Sequence, residues 1–253
     1  MPFTTMFQQP YDRYTAQDQR VWKVLFDRQT AVLHKRAASA FVEGLARIGL
    51  NRHAIPVFSE VSQRLRCATG WELKAVPGRV EDATFFALLA ERKFPTTMWL
   101  RSMEQFDFVK EPDLFHDVFG HVPLLMDATF ANFLHLLGRT ALQHLHDAEA
   151  LRRLRAFYGF TVQFGLVMED GKPRIYGAGL LSSSLETHHC VHEDTPRQPF
   201  DLAMVLDTAY TEERLQEQYF VLNSWEQLTE AVAELAALLA NVHVNAWELK
   251  AAC

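Results

Sequence analysis

Two histidines, His116 and His121, are the residues whose type and spacing most clearly suggest metal chemistry. They lie in the segment EPDLFHDVFGHVPLLMD, residues 111–127. Side chains five residues apart on an ideal α-helix point about 140° away from each other, so the spacing alone does not place them on one face. The two imidazoles can meet at one metal ion only if the helix loosens between them. Gly120 and Pro123 supply such an ending.

The histidine pair has two interpretations on these residues alone. In a chain of 253 residues with 11 histidines, a pair with this spacing is common by chance, so the spacing alone favours ordinary histidines over a metal site. Asp117 favours a metal site, because imidazole ligands usually have a carboxylate or carbonyl partner. The same aspartate is equally compatible with a solvated surface, and both interpretations stay open here.

The composition indicates a globular protein and disfavours several partners. Apolar residues make up 49% of the chain, which is enough for a sizeable core, and the net charge is −6 with no basic run. We therefore expect neither nucleic acid nor a membrane as a partner. Cys67, Cys190 and Cys253 show no paired spacing, which favours reduced thiols. Without a signal peptide or an apolar span, the expected location is the cytoplasm.

Helical periodicity dominates the elements that must hold the histidines. Apolar residues recur at helical spacing over 16–48, and Gly49 is a suitable stop. Residues 1–14 are polar and are expected to be loose. Further helices are predicted near 56–67, 81–92, 128–146 and 148–166.

The remaining segments predict short strands and a C-terminal helix. Pro77 and Gly78 indicate a loop over 71–80, whereas RIYGAG after Gly171 and YFVL at 219–222 indicate strands. Ser224 with Gln227 forms a capping-box pattern before the last helix. Its apolar stripe contains Trp225, Leu228, Val232, Leu235, Leu239 and Val242. The predicted fold class is mainly α, a single compact helical domain over 15–253 with a few short β-strands.

Beyond the histidine segment, several long motifs carry a resemblance to a known family. They are VWKVLFDRQ, IPVFSEVS, TGWELKAVPG, FPTTMWLR, PDLFHDVFGHVPLL, FTVQFGL and RIYGAGLLSSS. In this order they resemble the tetrahydropterin-dependent aromatic amino acid hydroxylases, above all the bacterial members that act on phenylalanine. The resemblance runs from about residue 11 to about residue 225.

The resemblance implies a monooxygenase. Members of the family hold Fe(II) with two histidines and one glutamate and leave the opposite side of the metal open for O2. A tetrahydropterin, such as tetrahydrobiopterin, is the second cofactor, and an aromatic amino acid is hydroxylated. The resemblance further implies a compact monomeric catalytic domain without a regulatory domain.

Site residues carry over position by position. His116 and His121 match the histidine ligands. The positions that match the pterin site are Gly78, Val80, Phe85 and Asp117, and those that match the amino acid site are Arg101, Phe164, Ser182 and Ser183. Taken alone, Phe85 is compatible with core packing, Arg101 with a surface ion pair, and the serines with a turn.

Two positions depart from the family's pattern. Gln163 stands where the family has its glutamate ligand, and Gly159 stands where it has a tryptophan. A neutral amide leaves the full charge on a divalent ion, so weaker binding and a less easily oxidised iron are expected. Gly159 predicts room for a bulkier ring such as that of tryptophan, unless Tyr158 or another neighbour fills the space.

Other side chains are candidates to compensate for Gln163. Asp117 and Glu186 offer carboxylates, and His188 and His189 offer imidazoles as extra ligands or as partners of the ligands. The alternative is that the last two are ordinary surface histidines. Three functions follow: an aromatic amino acid monooxygenase that tolerates the amide, a relative with altered metal or oxidative chemistry in secondary metabolism, or a non-catalytic protein that binds pterin or amino acid.

Overall fold

Helices make up most of the fold, which confirms the predicted mainly α class. The computed structural model describes residues 7–107, 111–211 and 214–251, with side chains up to residue 240. The α-helices in this part are α1 (Ala16–Leu33), α2 (Ser39–Ile48), α3 (Phe58–Thr69), α4 (Asp82–Ala90), α5 (Ala128–Leu142), α6 (Ala148–Tyr158), α7 (Ala178–Ser182), α8 (Ser184–Cys190), α9 (Leu202–Asp207) and α10 (Glu226–Ala251). Two π-helices, His116–His121 and Gly159–Gln163, and short 3-10 turns, among them Val122–Met126, complete the helical elements of the described ranges.

The strands form two small sheets. They are β1 (Glu72–Val76), β2 (Lys93–Thr97), β3 (Leu166–Glu169), β4 (Lys172–Ile175), β5 (Arg197–Pro199) and β6 (Tyr219–Leu222). β1 and β2 pair in parallel, whereas the second sheet has the order β4-β3-β6-β5, with only β3 and β4 antiparallel. The strand predicted at YFVL is confirmed as β6, and the one predicted at RIYGAG ends at Ile175 as β4.

The loop predicted over 71–80 is wrong for half of its length. Residues Glu72–Val76 form β1, and Glu72 lies opposite Lys93 in the parallel pair. Pro77 and Gly78 end this strand rather than marking a longer loop. A five-residue strand whose partner lies beyond the next helix leaves little periodic signal in the sequence.

The helix predicted over 16–48 is divided in two. Lys35, with a φ of 59°, turns the chain between α1 and α2. The turn is held by pairing with β4, because Ile175 N–H donates to Arg36 O at 2.8 Å and Ala38 N–H donates to Ile175 O at 2.8 Å. Long-range backbone pairing therefore overrides the helical pattern here. Gly49 ends α2 in the left-handed conformation, as predicted.

The segment before α1 is attached to the domain, unlike the loose segment that the sequence predicted. The Gln9 amide donates to Pro56 O at 2.9 Å, and the Tyr11 and Tyr14 hydroxyls donate to Ile55 O and Met98 O. Residues 1–6 of the predicted loose segment lie outside the described residues. The reason for the difference is that polar side chains here hydrogen-bond to backbone carbonyls instead of to water.

The last helix buries the predicted stripe but begins with a different cap. Leu228, Val232, Leu235 and Leu239 are buried, and Trp225 packs against the core. The side chain of Gln227 accepts the backbone N–H of Asn223 through Oε1 at 2.7 Å. The predicted capping box placed this bond at Ser224, one residue later in the chain. Val242 belongs to the part of α10 whose side chains are not described.

Two findings bear on the expectations from composition. No helix in the described part of the chain is both long and apolar enough to cross a membrane. Cys67 and Cys190 are free thiols, whereas Cys253 lies outside the described residues.

Candidate active site

The first π-helix brings His116 and His121 together. A π-helix closes its hydrogen bonds from residue i to residue i+5, so side chains five apart return to nearly the same face. The two Nε2 atoms are 3.2 Å apart. The predicted loosening is therefore present, but as a widened turn rather than as a helix end. Pro123 contributes because it has no N–H to donate to the preceding turn.

The position of this π-helix depends on close packing against α7. A Cβ atom at Gly120 would lie 2.8 Å from Ala178 O, closer than real Cβ atoms approach. On the other side, Phe115 and Phe119 stack in the core with ring centroids 4.7 Å apart. The histidine-bearing turn is thus held between the core and α7.

A hydrogen-bond chain sets the tautomer of His116. Ser182 Oγ lies 2.8 Å from His116 Nδ1 and 2.8 Å from Ala178 O. A carbonyl only accepts, so the single hydroxyl proton of Ser182 goes to Ala178 O, and His116 Nδ1–H must donate to Ser182. The Nε2 atom of His116 is then left with its lone pair, as a metal ligand requires.

His121 is kept neutral by its surroundings. It is 3% exposed, and its ring lies against Phe94 with centroids 4.7 Å apart. Burial, and then the nearby His116, lower the pKa of His121 well below its ordinary value. A neutral imidazole is the form that binds a metal ion.

The second π-helix places Gln163 at the same cavity. The helix predicted over 148–166 ends as α6 at Tyr158 and continues as this wider turn, closed by Phe164 N–H donating to Gly159 O at 2.9 Å. Gln163 Oε1 is buried and has no hydrogen-bond partner among the described residues. A buried carbonyl oxygen without a partner costs about 1–3 kcal/mol, a cost that a bound cation would remove.

These donors fit a divalent metal ion. Two nitrogens about 2.1 Å from one ion and roughly at right angles would be about 3.0 Å apart, close to the observed 3.2 Å. Asp117 adds a carboxylate, since its oxygen and the two histidine nitrogens all lie within 4.8 Å of one another. The set contains two neutral imidazoles, an amide oxygen and a nearby carboxylate.

Asp117 is buried beside the histidine pair. Its Oδ2 accepts the Thr97 N–H at 2.7 Å. Burial raises the pKa of Asp117 to about 7, although the hydrogen bonds from Thr97 act in the opposite direction. Of the carboxylates suggested to compensate for Gln163, this one is in place.

The cavity beside the histidines has a volume of about 420 Å³, within the range of small-molecule sites. The four residues predicted for the pterin site, Gly78, Val80, Phe85 and Asp117, all line it, as do His116, His121 and Gln163. The ring of Phe85 packs edge-on against Tyr158, with centroids 5.1 Å apart and planes at 87°. This aromatic wall offers a flat apolar surface to a heterocycle.

Arg101, predicted to bind the substrate carboxylate, is paired with a carboxylate of the protein itself. Its Nε and Nη2 atoms donate to the two carboxylate oxygens of Asp113 at 2.8 Å each, and it does not line the cavity. Asp113 also accepts the backbone N–H of Arg101 and of His116 at 3.0 Å each. The aspartate thus connects the arginine to the first histidine.

Three further residues that were predicted to contact the substrate do not line the cavity. Ser182 holds His116, and Ser183 caps α8 by accepting the Glu186 N–H. Phe164 is buried and does not line the cavity, and its ring lies 6.1 Å from that of Tyr210. The serines are used locally because each lies at a helix end, where backbone groups need partners.

The extra ligands suggested for Gln163 on α8 are engaged away from the histidines. Glu186 accepts the Tyr219 hydroxyl at 2.5 Å, the His188 ring bonds Ser184 O at 2.7 Å, and His189 donates to Gln216 O at 3.0 Å. None of the three lines the cavity. The helix turns these side chains toward β6 and the surface, so this suggestion is wrong.

The extra room predicted at Gly159 is also absent. A Cβ atom at residue 159 would lie 2.6 Å from Cζ of Tyr210 and still closer to other atoms of that ring. Tyr210, rather than Tyr158, occupies the space that a side chain at residue 159 would take. The alternative of repacking by a neighbour is therefore the correct one.

Asp113 and Tyr210 are the site residues that sequence reasoning missed. Asp113 stands three residues before His116, a spacing typical of a carboxylate that caps a helix, and this pattern could have identified it. Tyr210 lies 51 residues after Gly159 in an irregular segment, and no local pattern connects the two.

Ser182→Ala is expected to weaken divalent metal binding about 10-fold, since removing a partner of an imidazole ligand typically costs 10–100-fold. The reason is that His116 loses the acceptor that sets its tautomer. Titration of Co(II) by calorimetry measures the effect. Ser183→Ala is the matched control: it removes the cap of α8, costs about 1 kcal/mol of stability and leaves the metal affinity unchanged. Equal metal affinities in both variants would contradict the proposed role of Ser182.

Comparison with known proteins gives consistent results. Residues 3–248 match the family described as biopterin-dependent aromatic amino acid hydroxylase. The chain is 43% identical to phenylalanine-4-hydroxylase of Chromobacterium violaceum over 226 residues, covering 89% of this chain and 76% of that protein. A crystal structure of the Chromobacterium violaceum enzyme with iron(III) and 7,8-dihydrobiopterin has a TM-score of 0.88 and 42% identity, covering 93% of this chain and 86% of that one. A structure of that enzyme with iron and phenylalanine has a TM-score of 0.85 and 41% identity, covering 93% and 87%.

Proposed function

Because this chain belongs to the biopterin-dependent aromatic amino acid hydroxylases, we propose that it hydroxylates an aromatic amino acid with O2, using a tetrahydropterin and one iron ion. Its relatives include a phenylalanine-4-hydroxylase, and solved neighbours contain iron, dihydrobiopterin and phenylalanine. The observation that carries the proposal for this chain is the pair of Nε2 atoms 3.2 Å apart, beside the unpartnered Oε1 of Gln163.

In this proposal, His116, His121 and Gln163 hold the iron. Ser182 sets the tautomer in which Nε2 of His116 carries the lone pair that a metal ion binds, and the burial of His121 keeps its imidazole neutral. Gln163 adds an oxygen but no charge. The bound ion therefore keeps its full double charge unless Asp117 contributes, which predicts weaker binding than a glutamate would give.

Phe85, Gly78 and Val80 receive the pterin. Gly78 and Val80 are small residues on the cavity surface, and the ring of Phe85 provides an apolar face for the heterocycle. Asp117, at the boundary between this wall and the histidines, can accept an N–H from the cofactor. When bound, the iron and the pterin together supply the activation of O2, and the protein positions them and excludes water.

The amino acid is proposed to be phenylalanine or an aromatic residue of similar size. Tyr210 fills the space at Gly159, so the site has no extra room there for a larger ring such as that of tryptophan. Arg101 remains the proposed partner for the substrate carboxylate, through the Nη edge of the guanidinium group that is not fully used by Asp113.

The neutral Gln163 favours a second candidate function, a protein that binds a pterin and an amino acid without oxidising the latter. Without the charge of a glutamate, the iron is held less tightly and is harder to oxidise. The two functions differ in one property, the transfer of oxygen from O2 to the amino acid.

The deciding experiment uses isotopically labelled oxygen. The protein is loaded with Fe(II) under argon, and tetrahydrobiopterin, L-phenylalanine and ¹⁸O2 are then added. We expect a hydroxylated amino acid that carries the heavy oxygen, detected by mass spectrometry, and no such product from metal-free protein. Bound iron and bound amino acid without labelled product would instead support the binding function.

The other expectations from the sequence form part of the same proposal. We propose a monomer located in the cytoplasm, with residues 15–253 as one domain and with no nucleic acid or membrane partner, supported by the net charge of −6. Light scattering after size exclusion measures the oligomeric state. A mass near 29.0 kDa is expected for the monomer, and twice that value would contradict it.

A further inference from the structure

The space beside Gly159 is filled by a side chain from a distant part of the chain. Tyr210 follows α9, and its ring lies where a Cβ atom at residue 159 would be, with Cζ at 2.6 Å. The ring also contacts Phe160 and Phe164, with centroid distances of 5.7 and 6.1 Å. Tyr210 therefore packs directly on the π-helical turn that carries Gln163.

The same tyrosine forms part of the cavity surface. Tyr210 and Thr211 line the cavity together with the histidine pair, whereas Phe164 does not line it. An aromatic ring at this place limits how far a ligand can extend toward the second π-helix. Next to Gln163, the one residue of the second π-helix that lines the cavity, the wall is thus formed by residues that follow α9.

We propose that Tyr210 determines the size of the aromatic ring that the site accepts. The inference rests on the proposed function, because it assumes that an aromatic amino acid occupies this cavity. Its physical basis is exclusion of volume: Tyr210 and a large side chain at residue 159 compete for one space, and either of them closes the wall. If the ring of Tyr210 is removed while residue 159 is glycine, no side chain closes the wall at this place.

The proposal predicts a change in selectivity that does not depend on catalysis. Dissociation constants of L-phenylalanine and L-tryptophan are measured by calorimetry on Fe(II)-loaded protein under argon. The wild type is expected to prefer L-phenylalanine. Tyr210→Ala is expected to shift the ratio of the two constants about 10-fold toward L-tryptophan, a size typical of shape discrimination in an apolar pocket.

Three variants serve as controls. Tyr210→Phe keeps the ring and is expected to keep the wild-type ratio within about twofold, because volume and not the hydroxyl sets the preference. Gly159→Trp in the Tyr210→Ala background refills the space from the helix and is expected to return the preference to L-phenylalanine. Tyr210→Leu, also smaller than tyrosine, reports the shift if the alanine variant does not fold.

The outcomes separate this inference from the function on which it rests. An unchanged ratio in a folded Tyr210→Ala or Tyr210→Leu variant would overturn the role of Tyr210 while leaving the proposed function intact. A wild type that binds iron but neither amino acid would overturn both. A Tyr210→Phe variant that shifts the ratio as far as alanine does would assign the selectivity to the hydroxyl and so contradict the volume argument.

Discussion

Gln163→Glu is expected to bind Co(II) about 100-fold more tightly than the wild type, which corresponds to about 2.8 kcal/mol at about 1.4 kcal/mol per tenfold change. The amide oxygen of Gln163 is buried and without a partner beside two neutral imidazoles. A carboxylate at the same place adds a full negative charge where the medium screens little, and hard cations prefer such ligands. Calorimetric titration of metal-free protein measures the affinity.

Thermal unfolding provides a second readout for the same variant. With saturating Co(II), the gain in melting temperature on metal addition is expected to be larger than in the wild type, because tighter binding adds stability to the folded state. Without metal, no gain over the wild type is expected, since the new carboxylate is desolvated and has no cation.

The matched control for this charge change is Gln17→Glu. Gln17 is exposed in the first turn of α1, so the substitution changes the net charge equally without altering the cavity. Its Co(II) affinity should equal that of the wild type. If Gln163→Glu and Gln17→Glu bind Co(II) alike, the side chain of residue 163 does not face the metal and the proposed ligand set is incorrect.

Asp113→Asn is expected to destabilise the fold by about 3–5 kcal/mol, the typical cost of removing one partner of a buried ion pair. Asp113 is 0% exposed and Arg101 is 6% exposed, and two 2.8 Å hydrogen bonds join them. Burial raises the pKa of Asp113, but the hydrogen bonds and charge of Arg101 and two backbone N–H groups outweigh it, so the pKa lies below its ordinary value. The carboxylate is therefore charged, and an amide would leave Arg101 uncompensated.

The substitution also disturbs the metal site, because Asp113 accepts the N–H of His116. Chemical denaturation measures the stability, and Co(II) titration measures the effect on the histidines. Glu149→Gln is the control, since Glu149 bonds Arg152 and Arg153 on an exposed surface, where ion pairs contribute little. If both variants lose a comparable amount of stability, the buried ion pair contributes no more to the free energy of unfolding than an exposed one does.

A hydrophobic replacement of the pair distinguishes its two roles. In the double variant Arg101→Met with Asp113→Leu, no buried charge is left without a partner, so part of the stability should return. The cap on His116 is still lost, so the metal affinity should stay low. Recovery of both properties would assign the effect of Asp113→Asn to charge alone.

Much of the fold could be predicted because its signals are local. Helical periodicity predicted α3, α4 and α5 to within a few residues, and the apolar stripe of α10 is buried as expected. The errors at α1, α2 and β1 share one cause. In each, the backbone pairs with a strand far away in the chain, and such pairing leaves no periodic pattern in the segment itself.

For the candidate site, the types of residue in the chain already show which chemical groups are available. The chain contains the histidine pair, the amide of Gln163 at the position where the family has a carboxylate, and the residues proposed to bind the pterin, all within continuous motifs. Chemistry that depends on residue type can therefore be inferred from such motifs alone. The cavity wall formed by Gly78, Val80, Phe85 and Asp117 agrees with this inference.

How those groups are used depends on contacts between elements that are far apart in the chain. The π-helical turn that joins His116 to His121, the serine that sets a tautomer, and the aspartate that occupies Arg101 all depend on packing between separate elements. Tyr210 is the clearest case, since it fills the space at Gly159 from 51 residues away. The physical reason is that volume and hydrogen-bonding capacity are shared among all neighbours in a close-packed interior, whereas a sequence pattern reports only on neighbours along the chain.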